Sequence, residues 1–232
     1  YNNEVQSISQ GSLGSRANDG FESAWGLRSY FGRLNYNYSE KYFVEVNARY
    51  DGSSRFTGNN RYSFFPSVSG AWRISKEKFW GDLSNIANEL KIRGSWGKTG
   101  NQSVGLYSYL ETLAALDYSF GGVPVQGLYQ STLANKNLTW ETTIQSNIGV
   151  DASFLNGKFG ITFDYYKKNT EGIRLSLPIP ITLGLNAPPQ HAGNVENKGW
   201  ELAISHKSAI NNFHSGNVFK ISDLKNKIQN PH

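Results

Sequence analysis

The chain has 232 residues, and its 13 Tyr, 13 Phe and 6 Trp supply more aromatic surface than a disordered segment carries, so it folds. It has no Cys, which excludes a disulfide framework and thiolate metal sites. The net charge of +5 arises from 23 basic residues scattered among 18 acidic ones, a distribution that excludes a nucleic-acid footprint.

No stretch approaches the roughly 18 apolar residues of a spanning helix, so any membrane role requires a β-barrel. Gly, Asn, Ser, Tyr and Phe dominate, the composition of strands separated by turns. The chain begins at Tyr1 and has no Met, and it reads as a processed product or a fragment, with no signal peptide at its start.

Alternation gives the strands in chain order. Tyr30, Gly32, Leu34, Tyr36 and Tyr38 share one face, opposite Arg33, Asn35 and Asn37. After a tight break at 39–41, Tyr42, Val44, Val46, Ala48 and Tyr50 face away from Glu45, Asn47 and Arg49; Phe31 and Phe43 are exceptions on the polar side. A third strand reads Val68, Gly70, Trp72, Ile74, and a fourth Leu90, Ile92, Gly94, Trp96 against Lys91 and Arg93. A fifth runs from Leu138 through Trp140, Ile144 and Ile148 to Val150 against Asn147 and Asp151, a sixth from Phe159 to Tyr165, and a seventh begins at Trp200. Beyond Lys207 alternation is weak, and only Val218 to Ile221 reads as strand.

The connections differ in length. Segments 39–41 and 155–158 are tight, whereas 51–61, 99–136 and 172–198 are long and rich in Gly, Asn, Ser and Pro. The link 75–89 is predicted to hold a short helix around Phe79, Trp80, Leu83 and Ile86. Short turns at one end and long loops at the other are the habit of outer-membrane barrels. Alternation alone also fits a soluble carbohydrate-binding β-sandwich, but several runs reach the 9 to 11 residues of a tilted transmembrane strand. Tyr42 and Tyr50 bracket about 26 Å of apolar strand, with a ring at each expected interface.

Particular strings then resemble one family. "SYFGRLNYNYSEKYFVEVNARYDGSSRF", "FFPSVSGAWRISKEKFW", "LKIRGSWGKTGNQ", "NLTWETTIQSNIGVDASF", "FDYYKKNTEGI" and "NVENKGWEL" look like barrel strands of the SusC/RagA family of TonB-linked outer-membrane proteins, most strongly over 29–205. Segment 206–232 is atypical by comparison. The resemblance implies an all-β, antiparallel meander, about seven strands of a transmembrane barrel of about 22, with residues 1–232 forming part of the barrel domain and none of the plug. It further implies the outer membrane of a Gram-negative bacterium, surrounding lipid, a SusD-like lipoprotein lid, TonB acting through an N-terminal part outside this chain, and a glycan or peptide cargo.

No enzyme is expected. "GKT" at Gly97–Thr99 lacks the first Gly of a phosphate loop, since Ile92 stands there. The four His have no metal-ligand spacing, and no nucleophile, metal or cofactor motif is present. The candidates are therefore for binding and passage. Glu45, Asn47, Arg49, Lys91, Arg93, Asn147 and Asp151 are expected to face the lumen. Asp51 and Arg55 in "DGSSRF" either pair with each other to hold that loop or touch substrate. Tyr107, Tyr109 and Tyr118, with Phe120 and Tyr129, either stack on cargo or lid or pack their own loops. A charge placed at Val46 or Ile144 is expected to cost about 2–4 kcal/mol at a bilayer midplane, and one at Asn47 little.

Overall fold

A computed structural model describes residues 22–210 and 213–229. The start at Tyr1 and the His232 end lie outside the described residues. Ten strands form: β1 (Leu27–Tyr38), β2 (Tyr42–Ser53), β3 (Tyr62–Arg73), β4 (Ala87–Asn101), β5 (Thr112–Phe120), β6 (Val123–Thr132), β7 (Glu141–Phe154), β8 (Phe159–Ser176), β9 (Pro189–Ile210) and β10 (Phe213–Gln229). Eight of them make one antiparallel sheet in the order β1-β2-β3-β4-β7-β8-β9-β10, and β5 and β6 pair separately. Among the described residues the sheet does not close, and β1 and β10 are its edges.

Local chemistry sets the turns. Ser39 and Glu40 take φ of 51° and 55°, and the Asn37 side chain accepts the Glu40 N–H at 3.1 Å. This left-handed pair suits the twist of a tight hairpin. Leu155, Asn156 and Gly157 repeat it between β7 and β8, and Gly121 with Gly122 closes β5–β6. The β7–β8 turn is tied to the end of the β3–β4 link: Asn156 N–H donates to the Asn88 side chain at 2.6 Å, and Leu155 N–H donates to Ile86 O at 3.0 Å.

Directly paired residues share a face, so the register can be followed across the sheet. One row runs Tyr38, Tyr42, Trp72, Ile92, Val150, Phe163, Leu202, Ile221. It leaves β1 at its turn, yet meets β9 eight residues before that strand ends (Leu202 to Ile210). The apolar band drifts the same way: its far rim passes from Tyr30, Tyr50 and Phe64 to Trp96 and then to Tyr165 and Trp200. A drift of about one residue per strand, at about 3.3 Å per residue and 4.8 Å between strands, corresponds to a tilt of about 35–45°. Tilted barrel strands produce that slant.

The sheet is a single layer. Tyr30, Leu34, Val46, Trp72, Ile92, Ile148, Phe163 and Ile204 are all exposed on the apolar face. A sandwich would cover that face with a second sheet, and none lies there among the described residues. The buried apolar residues are instead few, and five of them (Phe56, Phe65, Val104, Leu138, Trp140) form one cluster at the base of the long loops.

Four expectations change. The main sheet has eight strands rather than about seven: β10 is strand over its whole length because 17 residue pairs bind it to β9, although its apolar residues split between faces, with Phe219 and Ile221 on one and Val218 and Leu224 on the other. Leu138 and Trp140 precede β7 and are buried in the loop-base cluster rather than lying on the strand. The long 99–136 link contains the β5–β6 hairpin. The expected helix after β3 is 3₁₀ in form, at Ile74–Lys76 and Lys78–Asn85.

Glu77 anchors that last segment, accepting hydrogen bonds from Tyr42 OH at 2.7 Å, Lys41 Nζ at 2.9 Å and Trp72 Nε1 at 3.2 Å. The Tyr42 hydroxyl first, and then Lys41, hold its carboxyl well below the ordinary carboxylate range, at about 2. A depressed carboxyl contributes stability that is complete above its unfolded value near 4.5 and is lost as pH falls toward 2. Glu77→Gln should therefore lower the thermal midpoint of the full-length protein at pH 7, and the difference from wild type should shrink below about pH 4. A gap that persists unchanged at pH 2.5 would refute the ionic role.

Candidate functional site

The polar face of the sheet is laced by charges that reach across strands. Glu45 pairs with Arg33 and accepts from Asn47 Nδ2 at 2.8 Å, and Asn47 also donates to Ser67 Oγ at 3.3 Å. Arg49 Nε lies 2.7 and 2.9 Å from the Asp51 carboxylate oxygens. Arg93 spans three strands: Nε donates to Asp151 at 3.0 Å and Nη2 to Asp164 at 2.6 Å.

Gly149 makes that span possible. It stands between Arg93 and Asp164 in the register, and a Cβ there would lie 2.6 Å from the guanidinium carbon and 2.8 Å from an Asp164 oxygen. The absent side chain is the channel through which the guanidinium crosses β7. Beside it, Phe43, Ser69, Lys91, Arg93, Ser95 and Asn147 line a shallow open hollow, with Lys91 Nζ 5.9 Å from the centre of the Phe43 ring. This gives Phe43, out of pattern in the sequence, a partner.

Glu45, Asn47, Arg49, Lys91, Arg93, Asn147 and Asp151 thus all lie on one face. Asp51 and Arg55 are not brought together as an ion pair. Buried Asp51 takes Arg49, whereas Arg55 donates to Val104 O at 2.6 Å and covers the Trp25 ring at 5.0 Å. The geometric reason is that Asp51 still belongs to β2 while Arg55 has turned into the loop.

The loop bases are bolted to one another. Trp140 packs its ring 5.3 Å from both Phe56 and Phe65 and donates Nε1–H to Arg61 O at 3.2 Å. Arg174 donates to Ser103 O at 2.9 Å. His191 accepts the Thr139 N–H on Nε2 at 3.0 Å, so its Nδ1–H donates to Gly172 O at 2.7 Å. That neutral tautomer clips the 133–140 segment to β8 and β9.

Tyr109 packs on the loop-base cluster. Tyr107 is exposed and in the left-handed region, with φ of 60°. Tyr118 and Phe120, 4.9 Å apart, sit exposed near the tip of β5–β6. The five aromatics therefore do not converge: Tyr109 builds the base and the others are displayed above it. Gly149, Arg174, the clip made by His191 and the pairing of Asp164 with Arg93 escaped the sequence reading, which put Asp164 on the polar face alone. Only Gly149 left a signal there, a glycine inside a strand between two charged partners.

A one-layer antiparallel meander, slanted, apolar and aromatic-rimmed on one face and charge-laced on the other, is the wall of a β-barrel. The chain belongs to the family described as TonB dependent receptor-like, beta-barrel, whose model matches residues 1–227. It is 39% identical over 207 residues to "TonB-dependent receptor P26" of Formosa agariphila, covering 89% of this chain and 21% of that protein. It is 38% identical over 190 residues to "TonB-dependent receptor SusC" of Bacteroides thetaiotaomicron, covering 79% and 19%. Among solved structures, the RagAB peptide transporter matches with a TM-score of 0.78 at 28% identity over 89% of this chain and 23% of that one. The RagAB peptide importer in its "closed-closed" state matches at 0.81, with 26% identity, 99% and 25%. The chain spans about a fifth of the length of these curated relatives. They are named as receptors, not enzymes, and the sandwich alternative finds no support.

Gly149→Val should drive the Arg93 guanidinium from Asp164 and destabilise the full-length protein by about 1–3 kcal/mol in urea. Gly94→Ala is the control, since a Cβ there meets only Asn147 O at 3.8 Å. Equal stability of the two variants would show that Arg93 has another route.

Proposed function

We propose that this chain is the wall and external-loop segment of an importer in the outer membrane of a Gram-negative bacterium, its residues 1–232 forming part of the barrel domain. The slanted apolar band carries the reading: its paired strands satisfy their backbone groups in lipid, while the opposite face offers water a polar path. Glu45, Asn47, Arg49, Arg93, Asn147 and Asp151 then line the lumen, where their ion pairs stiffen the wall and meet whatever fills the barrel.

The cargo is of the glycan or peptide class, and the similarity to the RagAB peptide transporter supports the peptide. A SusD-like lipoprotein closes over the external loops, and TonB supplies the drive through parts of the receptor beyond this segment. The exposed, largely apolar β5–β6 hairpin, with Tyr118, Phe120 and Tyr129, together with Tyr107, is the surface offered to lid or cargo. Asp51 and Arg55 hold the loop bases beneath it.

The slant refines which positions test the reading. Val46 lies midway between the two rims on β2 and Val150 near the middle on β7, whereas Ile144 lies beyond the outer rim. Val46→Lys and Val150→Lys should each cost about 2–4 kcal/mol in folding of the full-length receptor into lipid, and Asn47→Lys and Ile144→Lys no more than about 1 kcal/mol. Equal tolerance at 46 and 47 would reverse or abolish the orientation.

A further inference from the structure

Just beyond the outer aromatic rim, the apolar face of β8–β10 turns abruptly basic. Tyr165 pairs with Trp200, and the next two outward positions pair Lys167 with Lys198 and Asn169 with Glu196. On β10 the same rows bring Lys225 beside Lys198 and Lys227 beside Glu196. Four lysines thus share one patch of the outer wall with two acids, Glu196 and Asp223, for a net charge of +2. On β1–β3 the corresponding face beyond Tyr30, Tyr50 and Phe64 carries a single cation, Arg28.

The arrangement is built. Glu196, 8% exposed, accepts Lys198 at 2.7 Å, Lys167 at 2.9 Å and the Gln229 amide at 3.3 Å, and so holds two ammonium groups side by side. Each ammonium carries three donors and gives one to Glu196, leaving the rest directed outward. Lys225 and Lys227 are exposed and form no ion pair among the described residues.

Depth selects the ligand. Two residues past Tyr165 and Trp200 along a tilted strand is a rise of roughly 5 Å. The polar layer of a bilayer is about 5–8 Å thick outside its hydrocarbon, so the heads of Lys167, Lys198 and Lys225 lie among lipid headgroups, and the flexible four-carbon stem of Lys227, one row further out, lets its head reach back to them. Resting on the proposed membrane orientation, we propose that Lys167, Lys198, Lys225 and Lys227 form a binding site for the phosphate of an anionic lipid in the outward leaflet. Glu196 positions the first two lysines, and the Tyr165 and Trp200 rings support the lipid chains below.

The test measures binding of phosphatidic acid and of phosphatidylcholine with identical chains to the full-length receptor in neutral detergent, by native mass spectrometry. Phosphatidic acid should bind at least about tenfold more tightly, and Lys225→Gln/Lys227→Gln should weaken its binding about 25-fold, at about fivefold per lysine. Lys225→Arg/Lys227→Arg should retain it, which separates lost charge from lost folding. Equal affinity for the two lipids, or Gln and wild-type proteins that bind alike, would overturn the site. Competition by inorganic phosphate at equal concentration would reduce it to an anion site with no use for the lipid. Quenching of the receptor's tryptophans by brominated phosphatidylcholine tests the orientation separately. Quenching without preference for phosphatidic acid removes the headgroup site alone, and absence of quenching removes both.

Discussion

The structure depends on one constraint, the pairing of each strand's backbone with its neighbours in a register that does not slip. A one-residue shift would turn every Tyr and Val of a strand to the charged side and every Arg and Asp to the apolar side. Pairings of 12 residues between β1 and β2 and 17 between β9 and β10 make such a shift expensive. In water the uncovered aromatic face would be a liability, because buried apolar residues are few and clustered at the loop bases. In lipid the same face is solvated, and the hydrogen bonds between strands have no competitor.

The two faces divide the work of holding that register. On the apolar side, aliphatic residues interspersed with glycines form a band with rings at its rims. On the polar side, ion pairs tie strands together at chosen points, and Arg93 reaches across a whole strand because Gly149 vacates the space between it and Asp164. Such pairs on a solvent-accessible face contribute little by attraction alone. Their value lies in specifying which residues face one another.

The fold was largely legible because a membrane strand announces itself twice, by alternation and by length. Tyr30 to Tyr38 and Tyr42 to Tyr50 needed only the period of two, and the family strings placed them in a barrel. What escaped had physical reasons. β10 mixes Phe219 and Ile221 with Asp223 and Lys225 on one face, since its outer half runs beyond the aromatic rim at Trp200, so periodicity in side chains fails where pairing continues. Leu138 and Trp140 keep the alternation of the strand they precede, yet their side chains turn into the loop base. Asp51 and Arg55 were read either as an ion pair or as substrate contacts, and the pairing fails because the strand end between them sends them to different neighbours. The seven polar-face candidates were recoverable from parity; their partners were not, because a pair such as Arg93 and Asp164 is separated by 71 positions.

The slant of the strands has a further meaning for how this wall is sampled by its surroundings. The row Leu34, Val46, Val68, Trp96, Ser146, Lys167, Lys198, Lys225 is a single line of hydrogen-bonded neighbours. Because the strands lean, that line is also a staircase, beginning in the dry middle of the band and ending beyond its rim. The side chains follow the gradient, from aliphatic through indole and hydroxyl to ammonium. One line of neighbours is thus a built-in depth gauge, and composition along it records the local polarity at each step of the climb.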